Sequence, residues 1–244
     1  MQPVLLPLFP LQVVLLPGAE LPLHIFEDRY KEMMREVIRD RLEFGVVLAN
    51  EKGIVNTGCT ATVDQVLRQY PDGRMDLLTR GRRRFEIVRL NDERAFLRGS
   101  VDFFDDDESA TAAPEIQKRA IEGYRQLQAL SESPSPGSLE PMGHKESPEA
   151  KPGSPDAAEA IDQNDPQLSF RLAQPVPDLG FRQTLLATRS EAERLRQLAD
   201  FLPAYLHRQR RIQHMKEVAP KNGHGAGHMP GHPGGAGHGP SGIE

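Results

Sequence analysis

The chain has 244 residues, 38% of them hydrophobic and 6% aromatic, with 21 glycines, 21 prolines and a formal net charge of −5. That length carries one sizeable domain or two small ones, the Gly and Pro content predicts that part of it stays disordered, and the mild acidity gives no global bias toward nucleic acid or anionic membranes. A single cysteine, Cys59, excludes an internal disulfide framework and a cysteine-rich zinc site.

The opening apolar stretch, residues 5–30, is broken by Pro7, Pro10, Pro17 and Pro22. Each proline fixes its own φ and lacks a donor, so these, with Pro3, are expected at strand starts, strand edges or turns. The interruptions exclude a transmembrane helix, which needs about 20 apolar residues. Met1-Gln2-Pro3 also lacks the positive n-region of a secretory signal, so a soluble, cytoplasmic chain is expected. Phe26, Tyr30, Met33, Met34, Val37 and Ile38 recur at helical spacing and predict a helix over residues 27–41, with Glu27 or Asp28 satisfying its first turn. Residues 44–49 read as a buried strand ended by a turn at Asn50-Glu51-Lys52-Gly53. Residues 57–70 then alternate Cys59, Ala61 and Val63 against Thr60, Thr62 and Asp64, and Pro71-Asp72-Gly73 turns them into the next strand. Cys59 is therefore a small buried core residue rather than a nucleophile. Further strands are predicted over 75–80, 85–90 and 95–104, with too few helices for alternating βαβ units.

Beyond the strands the composition shifts. The run Asp105-Asp106-Asp107-Glu108 lacks the spaced ligands and central glycine of a calcium loop and reads as a solvated strand end. Ile116, Ala120, Ile121, Tyr124 and Leu127 share one face of a predicted helix over 115–130. Residues 131–160, rich in Pro, Ser, Gly and Glu, have little to bury and are expected to form a disordered insertion. Order returns near Pro166. Ser190 and Glu193 make a capping box for a last amphipathic helix, which Pro203 is expected to kink or restart. Residues 217–244 form a Gly/His/Pro-rich tail. Its His224, His228, His232 and His238 can ligate a metal only incidentally, because Gly and Pro forbid the helix that would set their geometry.

Several of these segments resemble the substrate-binding domain of the Lon protease family. The resemblance rests on Leu6-Pro7-Leu8-Phe9-Pro10-Leu11, Val13-Val14-Leu15-Leu16-Pro17-Gly18, and Leu21-Pro22-Leu23-His24-Ile25-Phe26-Glu27 running into Arg29-Tyr30. It continues through Phe44-Gly45-Val46-Val47-Leu48, Gly58-Cys59-Thr60-Ala61, Tyr70-Pro71-Asp72-Gly73-Arg74 and Gly81-Arg82-Arg83-Arg84-Phe85-Glu86-Ile87. A weaker similarity resumes at Asp165-Pro166-Gln167-Leu168-Ser169 and reaches Ala192-Glu193-Arg194-Leu195. The resemblance implies an α+β fold. A PUA-like closed or nearly closed β-barrel with an inserted helix, residues 1–108, would be followed by a small helical subdomain over 115–130 and 165–216. Pro203 departs from the uninterrupted last helix that the family implies.

The resemblance also implies capture of polypeptides: unfolded or tagged clients, with a protease or chaperone as a further partner. No Gly-rich loop ending in Gly-Lys-Ser or Gly-Lys-Thr is present, and the sequence ends before any match to the Lon peptidase domain. Neither ATP hydrolysis nor peptide cleavage is expected, and no cofactor and no catalytic residue is assigned. His24, with no Ser or Cys motif near it, reads as a packed or interfacial histidine. For polypeptide binding the candidates are Met33, Met34, Phe103 and Phe104. Two adjacent residues on one helix or strand are not expected both to point fully into the core, and flexible methionines suit adaptable apolar contacts; the alternative, favoured for any single residue, is that the outer one packs under the helical subdomain or the acidic linker. The alternative is an RNA-binding PUA-like module using Arg80-Gly81-Arg82-Arg83-Arg84. Alternation would send those arginines to opposite faces, so a charged edge that resists strand pairing is the favoured reading of the run, and nucleic acid is not the expected partner.

Overall fold

The structure, a computed structural model, describes residues 5–107, 112–132 and 161–218. The insertion expected after the first two residues of 131–160, and the tail with His224, His228, His232 and His238, lie outside the described residues.

Among the described residues six strands form one sheet: β1 (Leu6–Leu11), β2 (Glu20–Ile25), β3 (Phe44–Asn50), β4 (Gly53–Gln69), β5 (Met75–Asn91) and β6 (Arg98–Phe104). Their order is β2-β5-β4-β3-β1-β6, and β5 also pairs with β6, so the ladder β5-β4-β3-β1-β6 closes on itself. Only β1 and β3 run parallel. With the helices the fold is α+β.

The prolines of β1 show how it sits inside the ring. Leu8 N donates to Leu97 O just ahead of β6 (2.8 Å), so by strand alternation the amide positions of Leu6, Leu8 and Pro10 face β6, and those of Pro7, Phe9 and Leu11 face β3. The β6 ladder covers only Leu6 and Pro7, and the β3 ladder starts at Leu8. Each missing donor therefore falls where no partner strand runs.

One long strand, β5, replaces the two predicted over 75–80 and 85–90. Its first half pairs with β2 and the far half of β4, and its second half with β6 and the start of β4. Gly81 keeps it continuous: a Cβ there would stand 2.2 Å from the Leu16 carbonyl oxygen. Within the ring Leu8, Val47 and Phe85 form a small core. Phe85 fits because Gly58 faces it, where a Cβ would lie 2.5 Å from the ring tip and 2.7 Å from the Val46 oxygen.

Helix α1 (Asp28–Asp40) buries Tyr30, Met33, Met34 and Val37. Met33 and Met34 are both 0% exposed, which corrects the expectation that one of them reaches the surface. The reason is geometric: positions i+3 and i+4 flank the same stripe as i and i+7, so neighbours can both face the core. Glu27 is the N-cap residue but makes no side-chain cap bond, contrary to expectation; Arg29 takes its carboxylate instead, at 2.7 and 2.9 Å.

Among the described residues α2 (Pro114–Glu132), α3 (Leu168–Ala173), α4 (Leu179–Ala187) and α5 (Glu191–Val218) follow. Leu168, Phe170, Leu172, Leu185, Leu198 and Leu202 join one core with Phe9, Phe44, Ile25 and the buried face of α1. Asp178 caps α4, accepting from Phe181 N at 2.8 Å. Arg182 and Gln183 tie that helix to the β1–β2 connection and to β4 by donating to the Val14 and Thr57 carbonyls at 2.7 and 2.9 Å. At α5, Glu193 N donates to Ser190 Oγ (3.4 Å), one half of the predicted capping box, while the Glu193 carboxylate pairs with Arg196. The helix runs through Pro203 without the expected restart. Pro203 leaves the Ala199 carbonyl without its usual donor, and Arg119 Nη2 donates to that oxygen at 3.3 Å. The packed unit ends at Leu206, and a second unit begins at His207.

Candidate functional site

A cleft of about 200 Å³ opens beside the ends of β1 and β2 and the start of α1. Its walls are Phe9, Pro10 and Leu11 from β1, Leu23, His24 and Ile25 from β2, and Phe26, Glu27, Arg29 and Tyr30 from the entry to α1. Phe26 is 60% exposed at its rim. The helical spacing places Phe26 on the buried stripe, but α1 starts at Asp28, so Phe26 lies outside the helix and stays in solvent. His24 stacks beside Phe26, with ring centroids 6.0 Å apart. His24 Nδ1 lies 2.5 Å from Asp76 Oδ1, and Tyr70 donates to Asp76 Oδ2 at 2.9 Å. These two hydrogen bonds, the His24 one first, hold the Asp76 carboxyl below its ordinary range. Glu27 and Arg29 neutralise each other, so the lining carries matched charges and an apolar floor of Phe9, Leu23, Ile25 and Tyr30.

The edge of β2 is the second element of the site. Ala19 O accepts from Gly81 N (2.9 Å), and Leu21 O accepts from Thr79 Oγ1 (2.7 Å). Odd-numbered residues thus aim their backbone groups at β5, and Glu20, Pro22 and His24 aim theirs outward. Among the described residues β2 pairs only with β5, so this outer edge has no strand partner. Pro22 occupies a position where the missing donor costs no ladder bond.

The other sequence candidates separate. Phe104 is buried and Phe103 is 46% exposed, the alternation of a strand; the Arg83 guanidinium covers the Phe103 ring at 3.9 Å. Phe103 remains accessible, whereas Met33, Met34 and Phe104 belong to the packed interior.

The arginine run does not lie along a sheet edge, which corrects that expectation: it sits in the middle of β5, with Arg80 paired to β2 and β4 and Arg84 paired to β4 and β6. Arg80 pairs with Asp64 and Glu20 (2.8 and 2.7 Å), Arg82 with Asp64 (3.3 Å), and Arg83 with Glu43 (3.0 Å). Arg84 is buried and reaches the helices, donating to Asp106 Oδ1 at 2.6 Å and to the Thr188 carbonyl at 2.7 Å. Arg194, 1% exposed, donates to both Asp106 oxygens (2.6 and 2.7 Å), to Glu191 Oε2 (2.7 Å) and to Ser169 Oγ (2.8 Å). Asp106 is therefore no solvated strand end but the shared acceptor of two buried guanidinium groups. Burial alone would raise its pKa; the hydrogen bonds and charges of Arg194 and then Arg84 outweigh that and lower it. Cys59 is buried as expected, and burial pushes its thiol up to about 12. Among the described residues no group of three or more His, Cys, Asp or Glu side chains is placed to hold a metal ion, and no helix is long and apolar enough to cross a membrane.

Three comparisons with known proteins agree on one family. The model of the ATP-dependent protease La (LON) substrate-binding domain matches residues 5–204. The Lon protease of Parabacteroides distasonis is 29% identical over 110 residues, 41% of this chain and 13% of that protein. Lon protease 1 of Hydrogenovibrio crunogenus is 30% identical over 104 residues, 39% of this chain and 13% of that protein. The matched stretch is thus a small part of either relative. Among solved structures, the Lon N-terminal domain protein from Xanthomonas campestris superposes with a TM-score of 0.58 at 27% identity, covering 81% of this chain and 98% of that one. The N-terminal domain of a Mycobacterium avium complex Lon protease superposes at 0.54 with 19% identity, over 82% and 98% of the two chains, a likeness of fold alone.

Proposed function

Because this chain belongs to the ATP-dependent protease La (LON) substrate-binding domain family, we propose that it binds polypeptides and does no chemistry on them. The observation that carries this reading is the family match across residues 5–204, which takes in both the strand ring and the helices. The neutral apolar cleft beneath Phe26 supports it, since capture of varied chains needs shape-tolerant apolar contact rather than a charged pocket. Its place in the cell would be cytoplasmic protein quality control or proteolysis, with unfolded or tagged polypeptides as clients and a protease or chaperone as the recipient.

The RNA-binding alternative gains nothing from the arginine run, since Arg80, Arg82, Arg83 and Arg84 each have a carboxylate partner. The test is binding of the full chain to a labelled, permanently unfolded polypeptide, with unlabelled RNA as competitor and a gel to follow client integrity. Apolar capture predicts binding that persists as salt rises, survives RNA and leaves the client intact. Steep salt dependence with displacement by RNA would replace this reading with the alternative, and shortening of the client would replace it with a peptidase.

A further inference from the structure

We propose that a client polypeptide binds as an added strand along the outer edge of β2, with one of its apolar side chains seated in the cleft beneath Phe26. This rests on the polypeptide-binding reading and gives that reading a place and a mode. Three observations carry it.

The first is the hydrogen-bonding pattern. Glu20 and His24 direct an amide and a carbonyl outward, and Pro22 directs a carbonyl, along an edge that no described strand pairs. A row of unsatisfied strand groups is a template for an extended chain. On the opposite wall of the cleft, β1 presents Pro10, whose position also faces away from its ladder with β3. Pro10 has no backbone donor to offer β2, and among the described residues β1 and β2 are not paired.

The second is size. The cleft, at about 200 Å³, falls below the roughly 300–1,000 Å³ typical of sites for small organic ligands. It suits one side chain of a longer ligand held mainly by its backbone.

The third is charge. Glu27 is ion-paired with Arg29, and the Asp76 carboxylate is already hydrogen-bonded by His24 and Tyr70, so a charged side chain entering the cleft would lose water and find every lining carboxylate and guanidinium already partnered. The complementary occupant is an uncharged apolar residue. Phe26, at the rim, folds over such a residue as an aromatic lid with its other side on His24.

The geometry separates backbone from side chain at a single position. His24→Ala keeps the outward amide; His24→Pro removes it while leaving the bonds to β5, which use the odd-numbered residues, and Pro22 shows that this edge accepts proline. With the same labelled unfolded polypeptide as probe, Phe26→Ala should bind about tenfold more weakly than the wild type and His24→Pro about tenfold more weakly than His24→Ala, the comparison that removes the amide with the imidazole already absent from both. Thermal melts establish that each variant is folded. On the unaltered protein, amide exchange followed by NMR should show the Glu20 and His24 amides slowing when the polypeptide is added.

Wild-type affinity in both His24→Pro and Phe26→Ala, or unchanged exchange at Glu20 and His24 under saturating polypeptide, overturns the edge proposal while capture itself stands. Protection of those amides that rises with protein concentration alone overturns it in favour of pairing between two copies of the chain. Absence of any binding by the wild type overturns the capture reading beneath it.

Discussion

Arg194 is the residue on which most of the buried polar structure converges. It is fully inside, yet each of its nitrogens has an acceptor: Ser169, Glu191, both oxygens of Asp106 and the Thr188 carbonyl. Phe170 lies under its guanidinium at 4.2 Å. Truncating such a group removes the charge and leaves two carboxylates underpaired, so Arg194→Met should cost about 3–5 kcal/mol in chemical denaturation. Asp106, the shared acceptor, ties this network to pH. Its pKa is lowered in the folded protein, so the stability it contributes is fully present above the unfolded value near 3.9 and is lost as pH falls from there through the lower folded value. Stability measured between about pH 5 and pH 2 should therefore drop more steeply for the wild type than for Asp106→Asn. Cys59 gives a third expectation at this scale. With its thiol buried and titrating near 12, it should resist a thiol reagent at pH 8 in the native state and react once the chain is unfolded.

At the scale of elements, the strands accept residues that propensity disfavours because the ladder needs them there. The glycines of the ring are such positions. Adding a Cβ at Gly58 meets Phe85 and the Val46 carbonyl, one of which is rigid backbone, so Gly58→Ala should destabilise by about 1–3 kcal/mol, read as a lower denaturation midpoint at unchanged slope. Helix α5 shows the converse. Pro203 is exposed within the helix, and the Arg119 contact to the Ala199 oxygen only partly replaces the missing backbone bond. Pro203→Ala should raise stability by about 1–2 kcal/mol, since removal of an interior helix proline is worth about 3 kcal/mol and the lost rigidity of the unfolded chain subtracts about 1. The sequence showed the short strands, the α1 stripe and the Ser190 start of α5, because periodicity and capping are local signals. It did not show that residues 75–91 form one strand, because the reason, the passage of Leu16 across Gly81, lies some 65 positions away in sequence.

Over the packed unit through Leu206, the strand ring and the helices share a continuous core and are clamped by the Arg84, Asp106 and Arg194 network. Composition alone excluded a disulfide framework, and the order of prolines, β-branched runs and glycine turns was enough to resemble the Lon substrate-binding family that residues 5–204 match, a resemblance that implies the α+β fold. These features are legible because each depends on a residue's own backbone preferences and on neighbours within a few positions. The cleft is a different matter. Phe26 has the spacing of a core residue and becomes a rim residue because the helix begins two positions later; Met33 and Met34, which looked like a split pair, both go inside; Asp106, read as part of a solvated strand end, and Arg84, read as part of a charged strand edge, meet Arg194 from a helix more than eighty residues on. Only the tertiary structure decided which apolar groups stay in water and which charges leave it, because burial is set by contacts between segments distant in sequence, and no local pattern encodes those contacts.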